Sequence, residues 1–186
     1  MPLFIIFRDK IIGRIGKIGA IIKRWYKLIY FNKTVSMSEM KIMLVDDEER
    51  FLATTQKLLT RKGVDVITAT SGSEALNKLI MENVHVVILD VKMPGMDGIA
   101  TLKAIKERYP LIEVIMLTGH ATVESAVEGL KLGATDYLMK PTDIDDLVAK
   151  SEAAYAKRKV LEEKIRVAQS SMVQKSPLEI LRETKK

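Results

Sequence analysis

The sequence predicts an α/β protein in which a parallel sheet of five strands is covered by helices on both faces. Short apolar runs recur between residues 41 and 140, and amphipathic stretches with helical spacing alternate with them. Strands of a parallel sheet are buried on both faces, so they read as continuous apolar runs. Turn-forming residues separate the segments, as in VKMPGMDG after the third run. This alternation indicates an open sheet layered between helices.

Each element has its own signal in the chain. Gly63 ends the first helix, Ser71 or Ser73 caps the second, and the third stops before Pro110. Asp143 opens the fifth helix. The predicted strands are residues 41–45, 64–69, 84–89, 113–118 and 136–140, and the first four helices are 48–61, 71 or 73 to 81, 98–108 and 122–133.

Composition and charge narrow the class of protein. A chain of 186 residues suits one domain with appendages. The absence of cysteine excludes disulfides and thiolate metal sites, and two histidines leave little material for a zinc site. Residues 1–36 carry eight Lys or Arg and one Asp, a net +7, whereas the whole chain carries +6, so the remainder sums to −1. The basic charge therefore belongs to the leader and does not favour a DNA-binding body.

Residues 1–36 form an apolar and basic leader with two open interpretations. Isoleucines and Trp25 recur at helical spacing with lysines and arginines on the other side, which is typical of a helix that lies on an anionic membrane surface. Charges interrupt every apolar run, so a spanning helix is not predicted. Alternatively, Met37 and Met40 precede the first strand in a stretch that resembles a natural protein start. The leader would then be an upstream segment included by a wrong start assignment.

Three zones follow from these patterns: the leader at 1–36, the α/β domain at 37–152, and a helical extension with a flexible tail at 153–186. The last zone is charged and contains few large apolar residues. A segment of about 30 residues of that kind cannot bury a second core.

Polar side chains follow four of the predicted strands at the point where each strand ends. Asp46 and Asp47 follow the first, Asp90 the third, Thr118 ends the fourth and Lys140 ends the fifth. Ligands of open parallel sheets bind at the carboxyl ends of the strands, so these side chains should share one crevice. Three carboxylates together raise at least one pKa unless a cation intervenes, and Mg²⁺ suits such oxygen ligands.

These residue types suit phosphoryl transfer. A carboxylate can attack phosphorus to give an acyl phosphate, while a metal and a lysine neutralise charge on the transferring oxygens. Taken singly, each residue has a plainer explanation: Asp46 and Asp47 as helix caps, Asp90 as a turn former, Lys140 as an exposed lysine. Their joint occurrence at one sheet edge favours the functional interpretation.

The segments MLVDDEE, ILDVKMPGMDG, VIMLTGHA and GATDYLMKP resemble the motifs of response-regulator receiver domains, over about residues 40–155. The resemblance implies that Asp90 is the phosphoacceptor. It also implies that Asp46, Asp47, Asp90 and the Lys92 carbonyl bind the metal ion, and that Lys140 contacts the phosphate.

Further expectations come from the resemblance alone. It implies a flavodoxin-like, doubly wound fold with strand order 2-1-3-4-5 and a cis bond between Lys140 and Pro141. Thr118 would be the switch hydroxyl and Tyr137 the aromatic that changes rotamer on activation. His120, with Lys92, would tune dephosphorylation. His85, at the other end of its strand, is interpreted as structural or exposed.

The predicted function is a single-domain response regulator of a two-component phosphorelay. It would receive its phosphoryl group from a sensor histidine kinase or phosphotransfer protein and signal in the cytoplasm by binding an unknown effector protein. Homodimerisation would use helix four, strand five and helix five. It would catalyse only its own phosphorylation and dephosphorylation, and no nucleic-acid binding is expected.

Three alternatives stay open. The chain could be the receiver part of a truncated transcriptional regulator, although no helix-turn-helix pattern fits the last 30 or so residues. It could be a membrane-tethered regulator if the leader is real. An aspartate-nucleophile phosphatase is disfavoured. Such enzymes carry a D-x-D motif at the first strand, whereas this chain has two adjacent aspartates there.

Overall fold

The computed structural model describes residues 39–119 and 123–174, which form five strands and five helices. The strands are β1 (Lys41–Val45), β2 (Asp65–Ala69), β3 (Val86–Leu89), β4 (Glu113–Thr118) and β5 (Asp136–Met139). The helices are α1 (Glu49–Arg61), α2 (Gly72–Met81), α3 (Gly98–Arg108), α4 (Val123–Lys131) and α5 (Ile144–Gln174).

The sheet is parallel throughout, in the order β2-β1-β3-β4-β5. This confirms the doubly wound arrangement that the family resemblance implied. Every residue of β3 and β4 is buried, as expected for strands with helices on both faces. The core is built from these two strands and β1, packed against the apolar faces of the helices.

Local chemistry sets the helix ends. Gly63 follows α1 with φ +85°, a conformation that glycine adopts without strain. Of the two candidate caps for α2, Ser71 is the one observed, since its hydroxyl accepts from the backbone N–H of Glu74. Asp97 caps α3 through the N–H of Ala100, at 2.7 Å. The peptide bond between Lys140 and Pro141 is cis, as the resemblance implied.

Helix α5 runs without interruption for 31 residues, through the position where the α/β domain was predicted to end. Its first half packs on the sheet through buried residues such as Leu147, Ala154 and Tyr155. Its second half carries exposed apolar side chains, including Val160 and Val167.

Several predictions concern residues outside the described ranges: the leader at 1–36, His120, and the tail from residue 175 onward. Among helices within the described ranges, none is both long enough and apolar enough to cross a membrane.

Candidate functional site

Backbone hydrogen bonds carry the sheet ladder one step beyond the strands and place the site residues. The N–H of Asp90 donates to the carbonyl of Val45 at 2.9 Å, and the N–H of Lys140 donates to the carbonyl of Thr118 at 2.8 Å. Asp46, directly after β1, is held in the same way by the neighbouring strand β2. The predicted residues therefore stand at one edge because the parallel sheet brings its carboxyl ends together.

Lys140 joins the two buried carboxylates into one cluster. Its ammonium donates to Asp46 Oδ2 and lies 3.2 Å from Asp90 Oδ1. The aspartate side chains are only 3% and 7% exposed, and the lysine side chain is 19% exposed. The structure thus brings together three of the predicted residues as a charge-assisted cluster largely removed from water.

The remaining carboxylate oxygens are held by backbone donors of their own turns. The N–H of Glu48 donates to Asp46 Oδ1 at 3.0 Å, and the N–H of Lys92 donates to Asp90 Oδ2 at 2.7 Å. Each carboxylate is therefore oriented from two sides, by its own loop and by the ammonium. Rotating either side chain would break at least one of these contacts, so both carboxylates are preorganised.

The cluster contains more negative than positive charge when both of its carboxylates are ionised. Burial raises the pKa of Asp90, and the nearby Asp46 adds to this, while the Lys140 ammonium opposes it. Burial by itself would lower the pKa of Lys140, but the two carboxylates outweigh it and raise that pKa. Two carboxylates share one ammonium, so one negative charge stays uncompensated when both are ionised.

Two glycines allow close packing around the loop that carries Asp90. A Cβ on Gly98 would lie 2.1 Å from the carbonyl oxygen of Asp90 and 2.7 Å from Val91 Cα. A Cβ on Gly72 would lie 2.0 Å from Thr101 Oγ1. Helix α3 therefore approaches the loop, and helix α2 approaches α3, more closely than a side chain at either glycine would permit. Gly98 lies in the predicted loop segment VKMPGMDG, but no sequence pattern indicated the packing role of either glycine.

Thr118 and Tyr137 lie on the neighbouring strands β4 and β5. Thr118 ends β4 and is 1% exposed. Tyr137 is half-buried on β5, beside Met116 of β4 in the strand register. Their switch roles stay predictions.

The predicted metal ligands do not form a closed cage. Asp47 and Lys92 are exposed, next to the buried Asp46 and Asp90. Within residues 39–119 and 123–174, no three acidic or histidine side chains lie close enough to hold a metal ion. The oxygen donors and the uncompensated charge nevertheless fit a hard cation that keeps most of its waters, which is the habit of Mg²⁺.

His85 has a structural role away from this site. Its Nδ1 accepts from the backbone N–H of Lys41 at 2.9 Å, and its ring lies 4.9 Å from that of Tyr155. Burial lowers its pKa, followed by the repulsion of the Arg158 charge. These contacts tie β3 to β1 and α5 and confirm the structural interpretation.

Comparison with known proteins gives a consistent result. A family model described as "Response regulator receiver domain" matches residues 42–152. The transcriptional regulatory protein ZraR of Escherichia coli K12 is 42% identical over 139 residues, which are 73% of this chain and 32% of that protein. The DNA-binding transcriptional regulator NtrC of Klebsiella pneumoniae is 42% identical over 57% of this chain and 23% of its own length. The chain thus spans about a third or less of these relatives.

Solved structures agree with these matches. A receiver domain protein from Clostridium thermocellum is 37% identical, with a TM-score of 0.63, over 66% of this chain and 98% of that one. A CheY-like receiver domain protein from Methanospirillum hungatei JF-1 is 32% identical, with a TM-score of 0.62, over 64% of this chain and 96% of that one. NtrX from Brucella abortus, in complex with ADP, is 31% identical with a TM-score of 0.65, over 68% of this chain and 29% of its own. The motifs, the strand order and these matches together show that the chain belongs to the response-regulator receiver domain family.

Proposed function

We propose that this receiver domain accepts a phosphoryl group on Asp90 from a sensor histidine kinase or a phosphotransfer protein. The observation that carries the proposal is the Lys140 ammonium shared by two buried carboxylates at the carboxyl edge of the sheet. Asp90 is the better acceptor of the two, because it follows the central strand β3 and its side chain is slightly more exposed than that of Asp46, 7% against 3%.

The transfer forms one bond and breaks another. A carboxylate oxygen of Asp90 attacks phosphorus, and the bond from phosphorus to the donor's nitrogen or oxygen breaks, giving an aspartyl phosphate and the released donor. Lys140 neutralises charge on the phosphoryl oxygens and then pairs with the product. The Thr118 hydroxyl donates to one of those oxygens. The Lys92 N–H continues to orient the acceptor carboxyl group.

Asp46, Asp47, Asp90 and the Lys92 carbonyl would hold Mg²⁺. When bound, the ion supplies the positive charge that the site lacks and orients the phosphoryl oxygens. Asp46 pairs with Lys140 through one carboxylate oxygen, so this residue would contribute to both the metal and the ammonium side of the site. Asp47, at the exposed end of the set, leaves room for water ligands.

The output of the phosphorylated domain would be protein contact. A phosphate adds about −1.5 to −2 charges, which draws Thr118 and Lys140 inward and biases the surface of α4, β5 and α5. That surface carries exposed Val127, Leu130 and Met139, which suit an apolar partner or a second copy. We propose that the domain has no other substrate and catalyses only the gain and loss of its own phosphoryl group.

A second candidate function is the receiver module of a longer transcriptional regulator. The observation that favours it is the coverage, since the chain matches 32% and 23% of the ZraR and NtrC relatives. The mass of the native protein, detected in cell extract with an antibody to the receiver, separates the candidates. A mass near 20.9 kDa supports the single-domain regulator, and a mass several-fold larger supports the module.

Incubation with acetyl phosphate and Mg²⁺, followed by intact-mass measurement, tests the acceptor. We expect one phosphoryl adduct on the natural chain, none with Asp90→Asn, and none when the metal is chelated. Asp97→Asn is the matched control, because Asp97 lies in the same loop and asparagine caps a helix equally well. An adduct that survives Asp90→Asn would refute the proposal.

A further inference from the structure

The first turn of α1 places an aromatic ring beside the lysine of the site. Phe51 is the third residue of the helix, and its ring centroid lies 4.3 Å from the Lys140 ammonium. This distance is well within the roughly 6 Å over which the negative face of a ring attracts a cation. Neither the motifs nor the metal and phosphate chemistry described above assigns Phe51 a part.

The ring completes the enclosure of the ammonium. Lys140 Nζ contacts Asp46 and Asp90 on its carboxylate side and the Phe51 face on another. The lysine side chain is only 19% exposed, so the ammonium has given up much of its water. A desolvated cation gains more from a ring than an exposed one, because water competes less for it.

The same turn that positions Asp46 also positions Phe51. Asp46 accepts from the Glu48 N–H at 3.0 Å, and α1 begins at Glu49, so the carboxylate and the ring belong to one short rigid unit. Any movement of Lys140 between the carboxylates and a phosphoryl oxygen therefore takes place across a fixed ring face. Attraction by a ring face is less directional than a hydrogen bond, so it can hold the cation in both positions.

We infer that Phe51 is a positioning residue for phosphoryl transfer, which holds the Lys140 ammonium in the acidic cluster. This inference rests on the proposed function of Asp90 and Lys140. Phe51 touches neither the acceptor nor the donor in this role, and acts only through Lys140. A leucine would fill much of the same space without the charge distribution of the ring, so the role belongs to the aromatic face rather than to apolar bulk.

The test compares the natural chain with Phe51→Leu and Phe51→Tyr in two measurements. The first is the rate of Asp90 phosphorylation by acetyl phosphate with Mg²⁺. We expect Phe51→Leu to slow it about three- to tenfold and Phe51→Tyr to keep it near the natural rate. The second is the NMR shift of the Lys140 ε-methylene protons, which a ring above the ammonium displaces upfield. Phe51→Leu should abolish that displacement, and Phe51→Tyr should preserve it.

A double-mutant cycle with Lys140→Met separates positioning from simple structural damage. If Phe51 acts through Lys140, Phe51→Leu has no effect on the rate in the K140M background, and thermal unfolding of the variants stays cooperative. Equal slowing by Phe51→Leu in both backgrounds would overturn the inference. It would also be overturned if Phe51→Leu reacted at the natural rate and the lysine protons of the natural chain showed no upfield displacement. Where K140M is too slow to follow, the lysine proton shift decides. If the natural chain formed no phosphoryl adduct, the proposed function itself would be wrong.

Discussion

Gly98→Ala should disable the site without touching any of its functional side chains. The Cβ that alanine adds would lie 2.1 Å from the carbonyl oxygen of Asp90, whereas ordinary contact begins at 3.4 Å. The backbone must therefore open by about 1.3 Å, the difference between these two distances. The three atoms nearest to that Cβ are all backbone atoms of residues 90 and 91, so no flexible side chain can absorb the change.

Two magnitudes follow from that displacement. Overpacking of this kind costs about 1–3 kcal/mol of unfolding free energy, which urea denaturation measures. A misplacement of about 1 Å at a reacting group can slow a reaction roughly 100-fold, so phosphorylation by acetyl phosphate should fall by about two orders of magnitude. The functional loss should exceed what partial unfolding explains, because most molecules remain folded.

Gly129→Ala is the matched control for this prediction. A Cβ there would meet Met116 at 3.6 Å, an ordinary contact, within helix α4. Alanine in a helix gains up to about 1 kcal/mol over glycine, so stability should hold or rise and phosphorylation should be unchanged. A Gly98→Ala variant that reacts at the natural rate would show that this glycine does not hold the acceptor loop in place.

Three further predictions concern stability, each measured by urea denaturation. Ser71→Ala should cost about 1 kcal/mol, because the cap of α2 loses the hydroxyl that accepts from Glu74 N–H. The Lys78 ammonium first, and then the Thr70 N–H and hydroxyl, lower the pKa of Glu74 to about 2. The stability that Glu74 contributes is therefore fully present above its ordinary pKa of 4.5 and lost as the pH falls toward 2, and Glu74→Gln should flatten the decline over that window. Arg158→Met should cost about 1–3 kcal/mol, because its guanidinium donates to the Val84 carbonyl at 2.9 Å in a buried position.

Each of these has a contrary outcome. An unchanged midpoint for Ser71→Ala would show that water replaces the cap. Parallel pH profiles for the natural chain and Glu74→Gln would contradict the lowered pKa. Full stability of Arg158→Met would show that apolar packing by methionine offsets the lost hydrogen bond.

The meeting of Asp46, Asp90 and Lys140 could be predicted from sequence because it follows from topology. Parallel strands end at one edge, so residues that follow apolar runs are brought together even when they lie 44 or more positions apart. The strand order could not be obtained in this way, because alternating strands and helices are compatible with several orders. It came from the family resemblance, and the structure confirms it.

Other features depend on contacts that no local pattern reports. Phe51 reads as an ordinary apolar residue of an amphipathic helix, and only the fold places its ring against Lys140. Gly72 reads as a helix start, and only the packing of α2 on α3 shows why a side chain is excluded. The unbroken course of α5 is a further case, since helical residues on both sides of position 152 do not reveal whether one helix continues.

The position of the phosphoryl group in the natural chain decides whether Asp90 is the acceptor. After reaction with acetyl phosphate and Mg²⁺, borohydride reduces an aspartyl phosphate to homoserine, which peptide sequencing by mass spectrometry places at a single position. We expect homoserine at residue 90, with Asp46, Asp47 and Asp97 unchanged. Homoserine at any of those three positions, or at none, would contradict it.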